Sequence, residues 1–281
     1  MKGRAGSFSF YSSKGRQVAR VAQNSSNYGE SARRSEAQQK RRVKWANLVN
    51  FYKLMGGTLH GAFETKRTNE TDYNAFMRKN IPTGTVALTK EQAALGCCAC
   101  QSFRISEGSI QSSNLKHETV GGDLIYTTRI NVGSDTVLSD MTVATFSAKV
   151  IANNADMKEG MQISIITINT EDMEDGPRSA MGRYELTLSN DDTRDLATVF
   201  PFMMVAAEGS GRLSFLDFNE DNYWAVIISD STSGTLRVSS ESLVPGDTSV
   251  AATYSTEEAV TEAMESYGVD AARFLDSGDM Q

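Results

Sequence analysis

The hydrophobic period of this 281-residue chain changes near residue 85, and that change limits the folds open to it. Before it, apolar residues fall at helical spacing. After it come short alternating runs split by Gly, Asp and Ser clusters. This reads as α+β: an N-terminal hairpin plus two helices, then a mainly antiparallel β domain, sandwich or barrel-like, with one or two additional helices. The expected divisions are a basic hairpin and helical region over 1–84, the β domain over 85–254, and a C-terminal helix and tail over 255–281.

The longest helical pattern is SEAQQKRRVKWANLVNFYKLM, residues 35–55. Trp45, Leu48, Val49, Tyr52 and Met55 recur at i, i+3, i+4, i+7 spacing, with Phe51 at the edge. The stripe predicts that Trp45, Leu48 and Tyr52 anchor a core, and that Trp45→Ala costs about 3–5 kcal/mol. Ser35 with Gln38 fits an N-terminal capping box, and Gly56-Gly57 supplies the stop. Lys40, Arg41, Arg42 and Lys44 crowd the first turns, where the helix dipole disfavours cations. Either an anionic partner meets them or they form a solvated basic face.

Upstream, Phe8 and Phe10 alternate with serines, residues 12–15 turn, and Val18 and Val21 lie on a return strand. Residues 24–34 read as a polar extended connection. A second helix, capped by Thr71, carries Tyr73, Phe76 and Met77 and ends at Pro82 and Gly84. Its Asn74 and Asn80 suit either a neighbouring backbone or solvent. Strands are expected at 85–88, 102–106, 123–131, 161–170, 183–188, 200–205, 223–229 and 235–240. Helices are expected at 139–152 and 255–267, the latter with a Ser255/Glu258 capping box and Gly268 as its stop.

Net charge conceals a division. Residues 1–80 hold 16 Lys/Arg and 5 Asp/Glu, or 16 − 5 = +11; residues 81–281 hold 12 and 30, or 12 − 30 = −18. Such asymmetry points to two environments or to head-to-tail contact between copies. Non-specific contact with DNA is the rival use of the basic third, since no helix-turn-helix, zinc-finger or RNP-like pattern occurs. Hydrophobic content of 40% with only four prolines argues against disorder. No apolar run is long enough for a membrane span, and the N-terminus lacks the apolar core of a secretory signal, so synthesis in a cytoplasm is expected.

Chemistry-bearing patterns are sparse. His60 and His117 lie far apart in sequence, without Cys or a second His at ligand spacing. Cys97, Cys98 and Cys100 form an odd cluster that reads as buried small hydrophobes more readily than as a C-x-x-C redox pair. The acidic run at 171–175 lacks calcium-loop spacing and reads as part of a solvated loop over 171–179. No phosphate-binding glycine motif is present, and no catalytic residue, cofactor or metal is expected.

Three stretches carry a resemblance when taken in order: GSFSFYSSKGRQVARVAQN (6–24), the S-x-A-Q-x-x-R-R helix beginning at Ser35, and TDYNAFMRKNIP (71–82) with its Y-N-A-F-x-x-x-N pattern. Ser26, Tyr28 and Arg33-Arg34 lie between the first two. The order resembles uncharacterised proteins common in the Bacteroides group and its phages. It also resembles the N-terminal region of crAss-like phage proteins that stack as rings below the portal. The match covers roughly the first third of the chain, with looser agreement at WAVIISDSTSGTLRVSSESL (224–243). The resemblance implies a structural virion protein of the neck or tail, in a closed ring that is twelvefold by family analogy. Its partners would be other copies and the portal or neighbouring tail rings. Lys40, Arg41, Arg42, Lys44, Arg33 and Arg34 are the expected subunit interface. The alternative is a bacterial β-domain module binding protein or carbohydrate. A carbohydrate site would want exposed aromatics on one sheet face, whereas alternation sets Tyr223 and Trp224 on opposite faces.

Overall fold

Two near-continuous apolar runs, ISIITI from Ile163 and YWAVII from Tyr223, determine the architecture. Strands that read this way are covered on both faces, because alternation alone would leave every second residue polar. The computed structural model describes residues 3–5, 8–13, 16–21, 36–120, 123–133, 140–201, 204–206, 211–217, 222–247 and 249–268. It places those runs in β6 (Gln162–Met173) and β10 (Asn222–Asp230), antiparallel neighbours at the centre of a five-stranded sheet. β7 (Gly176–Thr187) flanks β6, and β11 (Arg237–Val238) and β12 (Val244–Pro245) pair with β10.

A second antiparallel sheet has the order β4-β5-β9-β8, from Lys116–Val120, Asp123–Asn131, Arg212–Asp217 and Met204–Ala206. Ile163, Ile165, Leu186, Trp224, Val226 and Ile228 face Tyr126, Ile130, Leu213 and Phe215 across this sandwich. Trp224 stacks on Tyr126 at 5.2 Å and on Phe215 at 5.6 Å. α4 (Val143–Asn153), capped by Thr142, adds Phe146 and Val150 to the same core, and α5 (Leu196–Val199) adds Leu196.

The opposite face of β6 and β10 presents Ile166, Ile168, Tyr223, Ala225 and Ile227 to α1 (Glu36–Met55) and α2 (Asp72–Asn80). Both helices thus share one core with the sheet. Thr71 caps α2 by accepting from Asn74 N–H, as its position predicts. The N-terminal hairpin forms from β2 (Phe8–Ser13) and β3 (Arg16–Val21), and β1 (Gly3–Ala5) adds a third antiparallel strand. The architecture is α+β, with a β sandwich carrying helices on one outer face. Among the described residues, no helix is long and apolar enough to cross a membrane.

Several expectations need correction. Residues 85–88 are not a strand. Ala87 N–H and Leu88 N–H donate instead to the Tyr254 and Val43 carbonyls, the latter within α1. The strand expected at 102–106 is reduced to a bridge between Arg104 and Ser242. The acidic run over 171–175 is no open loop: β6 and β7 stay paired to Met173–Gly176, with Glu174-Asp175 at the turn. The last helix, α7 (Glu257–Ser266), is capped by Thr256 rather than Ser255. Ser255 Oγ donates to the Ala251 carbonyl of α6 (Val250–Thr253), which removes it from the capping position.

Two buried carboxyls give stability opposite pH dependences. Asp230 is held near 2 by the Thr232 hydroxyl, the Thr232 N–H and Lys158, against an ordinary 3.8. The unfolded chain therefore takes up that proton first, so this contribution is complete above about pH 4 and is lost as pH falls toward 2. Glu241 is pushed upward by burial, although Ser112 and Ser113 hydroxyls and the Ser113 N–H pull it back. Its contribution is present below the ordinary carboxylate range and is lost as pH rises through the folded value. Urea midpoints followed against pH should show Asp230→Asn flattening the acid limb and Glu241→Gln flattening the opposite one.

Candidate interaction surface

Asparagines decide which side of α1 faces inward. Asn47 Nδ2 donates to the Ala99 carbonyl at 3.0 Å, and Ala99 N–H returns a bond to Asn47 Oδ1 at 2.8 Å. One turn on, Asn50 Nδ2 reaches the Ala93 and Cys97 carbonyls, both at 3.0 Å. These bonds serve the end of α3 (Lys90–Ala94) and the irregular segment after it, where Cys98 N–H reaches the Pro177 carbonyl of β7 while the Ala99 backbone groups are met by Asn47. The buried face of α1 accordingly contains Val43, Asn47, Asn50, Phe51 and Met55, with Leu48 beside it.

This rotation overturns the expected role of Trp45. Its side chain is 39% exposed, whereas Leu48 is buried and Tyr52 half-buried. Phe51, expected at the edge of the stripe, lies at its centre. Trp45→Ala should therefore change stability by no more than about 0.5 kcal/mol, as surface substitutions do. A denaturation midpoint lowered as far as a core truncation requires would contradict this placement.

Trp45 stands in a groove of about 190 Å³ lined by Lys40, Arg41, Lys44, Leu48, Ile81, Pro82 and Gly84. Its floor is apolar and three cations rim it. Among the described residues, no carboxylate lines it. Elsewhere in the helical region three cations are closed internally, Arg78 on Glu70, Lys66 on Asp72 and Lys79 on Glu107. Among the described residues, neither Arg41 nor Lys44 has a carboxylate at ion-pair distance. Arg42 points elsewhere, with its guanidinium 4.7 Å from the centre of the Tyr267 ring beyond α7. Burial raises the Tyr267 phenol while Arg42 pulls it down. Arg33, Arg34 and the connection over 24–34 lie outside the described residues, as does the expected cap Ser35.

No family model, curated protein or solved structure matches this chain. The groove and the surfaces around it therefore rest on their own chemistry.

Acidic side chains gather outside the groove lining. α7 carries Glu258, Glu262 and Glu265 at i, i+4, i+7, all exposed, with Glu257 beside them and no cation on the helix. A second acidic patch is the β6–β7 turn, where Glu171, Asp172, Glu174 and Asp175 are exposed. Asp175 there is bound by Arg178, and Asp172 accepts from Tyr254.

The thiols are interior groups. Cys97, Cys98 and Cys100 are buried, and burial pushes each above its ordinary range, which keeps them protonated and weakly nucleophilic. Among the described residues, no set of three His, Cys, Asp or Glu side chains is placed to hold a metal ion. His60 lies 3.8 Å from Asp72 and His117 lies 3.4 Å from Asp247, each on a separate part of the fold.

Proposed function

We propose that this chain is a structural assembly protein, a ring component of the neck or tail of a crAss-like tailed phage, acting through contacts with other copies and with portal or tail proteins. The observation that carries the reading is the presence of complementary surfaces. A groove is rimmed by Lys40, Arg41 and Lys44, and exposed acidic stripes on α7 and the β6–β7 turn lie outside its lining. A contact between two different patches is heterologous, and it closes into a ring when the rotation permits. The N-terminal resemblance points the same way.

A carbohydrate-binding module has less support. Tyr223 and Trp224 sit on opposite faces and are both buried, at 4% and 3% exposure, so they offer no stacking platform. Non-specific DNA contact by the basic groove remains an outcome of the test rather than a second proposal.

Arg41→Glu combined with Lys44→Glu tests the assembly reading, because both residues rim the groove and neither is buried. The double variant should fold normally and fail to enter particles. Association of the unmodified protein should slow as salt rises, since the Debye length falls from about 10 Å at 0.1 M to about 3 Å at 1 M. Normal incorporation of the variant would overturn charge-guided assembly. Loss of DNA retention with normal incorporation would assign the groove to nucleic acid.

A further inference from the structure

The groove beside Trp45 joins an apolar floor to three rim cations, so its occupant needs an apolar anchor set among carboxylates. The turn of the β6–β7 hairpin has that form. Met173 is 50% exposed there, beside the exposed carboxylates of Glu171, Asp172, Glu174 and Asp175. Glu171 and Met173 are two apart on β6 and so share a face. We infer that the hairpin turn of one copy docks in the Trp45 groove of the next, with Met173 against the indole and Glu171 and Glu174 against Arg41 and Lys44. The contact supplies the ring reading above with its two surfaces and rests on that reading for its place in the particle.

Each chain holds its own turn out of its own groove. Cys98 N–H donates to the Pro177 carbonyl, and Arg178 Nη1 to the Leu95 carbonyl, both at 2.9 Å, which ties the hairpin to the segment after α3. Asn47 and Asn50 hold that segment in turn. At about 100° per helical residue, the two asparagines point roughly 120° around α1 from Lys40, Arg41, Lys44, Trp45 and Leu48. A second copy is therefore the occupant. Because the two patches differ, every copy added brings one groove and one turn, so the contact runs head to tail until it closes.

Unmatched charge favours this pairing from both sides. On the turn, Arg178 binds Asp175 and Tyr254 donates to Asp172. Among the described residues, neither Glu171 nor Glu174 has a cation at ion-pair distance, just as Arg41 and Lys44 lack a carboxylate. Exposed ion pairs add little affinity by themselves, so a buried apolar anchor has to supply it. α7 is the poorer partner for that reason, since Val260, Ala263 and Met264 turn inward. The groove's volume of about 190 Å³ also lies below the roughly 300–1,000 Å³ of small-molecule sites and suits one inserted side chain.

Disulfide trapping reads the contact directly on the full chain. Arg41→Cys and Glu174→Cys are combined in one chain and treated with a mild oxidant at high protein concentration. The native thiols are buried and stay protonated, so they do not compete. The double variant should give a ladder of linked chains, trimers and larger, whereas either single variant should stop at a dimer. Met173→Ser added to the double variant should slow trapping at least about fivefold, as loss of a central interface anchor does. Lys44→Glu should slow it too, and Glu171→Lys added to the same chain should restore it, which a folding defect would not. The absence of species beyond dimers would overturn the contact. A ladder indifferent to both Met173→Ser and Lys44→Glu would overturn it as well, since random collision would explain the links. Particle incorporation is scored apart from trapping. Normal incorporation of Glu171→Lys/Glu174→Lys would overturn the turn as the ring-forming surface and leave the protein a virion component. A trapped ladder from a protein absent from particles would instead uphold the contact and overturn the ring reading.

Discussion

Phe51→Ala is expected to lower the unfolding free energy by about 3–5 kcal/mol, the usual range for a large aromatic truncated in a packed core. Phe51 is fully buried. Its ring lies 4.8 Å from Phe103 and 6.2 Å from Phe76, with Phe76 and Phe103 themselves 6.0 Å apart. This triangle joins α1, α2 and the irregular segment to the β6–β10 face, so the cavity would open where three structural parts meet. Small domains have only about 5–15 kcal/mol in total, which makes the change large. Urea unfolding followed by circular dichroism would measure it. A loss under about 1 kcal/mol would mean that α1 does not pack on this face.

Asn47→Leu should cost nearly as much, about 2–5 kcal/mol, for a different reason. The substitution keeps side-chain bulk but strands the Ala99 N–H and carbonyl in a site where Asn47 is 1% exposed. Each buried backbone group left unpaired costs about 1–3 kcal/mol. A hydrophobicity argument alone would predict a gain from the same change, so the sign separates the two accounts. Hydrogen exchange gives a second measurement: the Ala99 amide should lose protection in Asn47→Leu and keep it in Trp45→Ala.

The same asparagines explain which parts of the fold were legible in the sequence. Where alternation governs, the reading succeeds: β5 spans 123–131 as expected, and Tyr223 and Trp224 enter separate cores. The Thr71 cap is equally local and equally readable. Period counting treats asparagine as polar and therefore outward, which rotated the expected face of α1 toward Trp45. Asn47, Asn50 and Asn80 instead bind backbone outside the named strands, and Asn154 binds Asn131 at the end of β5. Asn80, for example, donates to the Arg104 carbonyl and accepts from Arg104 N–H. Their inward placement depends on a segment distant in sequence, so no local period records it. The repeated asparagines of WANLVNFY, three residues apart beside large apolar groups, are the signal that was present.

Other misses have similar causes. β4, KHETV, is polar because its side chains are largely exposed, leaving little apolar alternation to detect. The hairpin at 171–179 is acidic because it projects into solvent, although its backbone stays fully paired. The candidate groove was half legible: Lys40, Arg41 and Lys44 stood out as misplaced cations, but joining them to Ile81, Pro82 and Gly84 required the packing of α2 against α1.

The assembly account stands most directly on where the protein is found. Purified particles of a phage encoding this chain, analysed by protein mass spectrometry and imaged at the neck, provide that measurement. The account predicts the chain as a stoichiometric component forming a closed ring below the portal, with density for the Lys40–Arg41–Lys44 groove at a subunit boundary. Its absence from purified particles would contradict the phage reading outright.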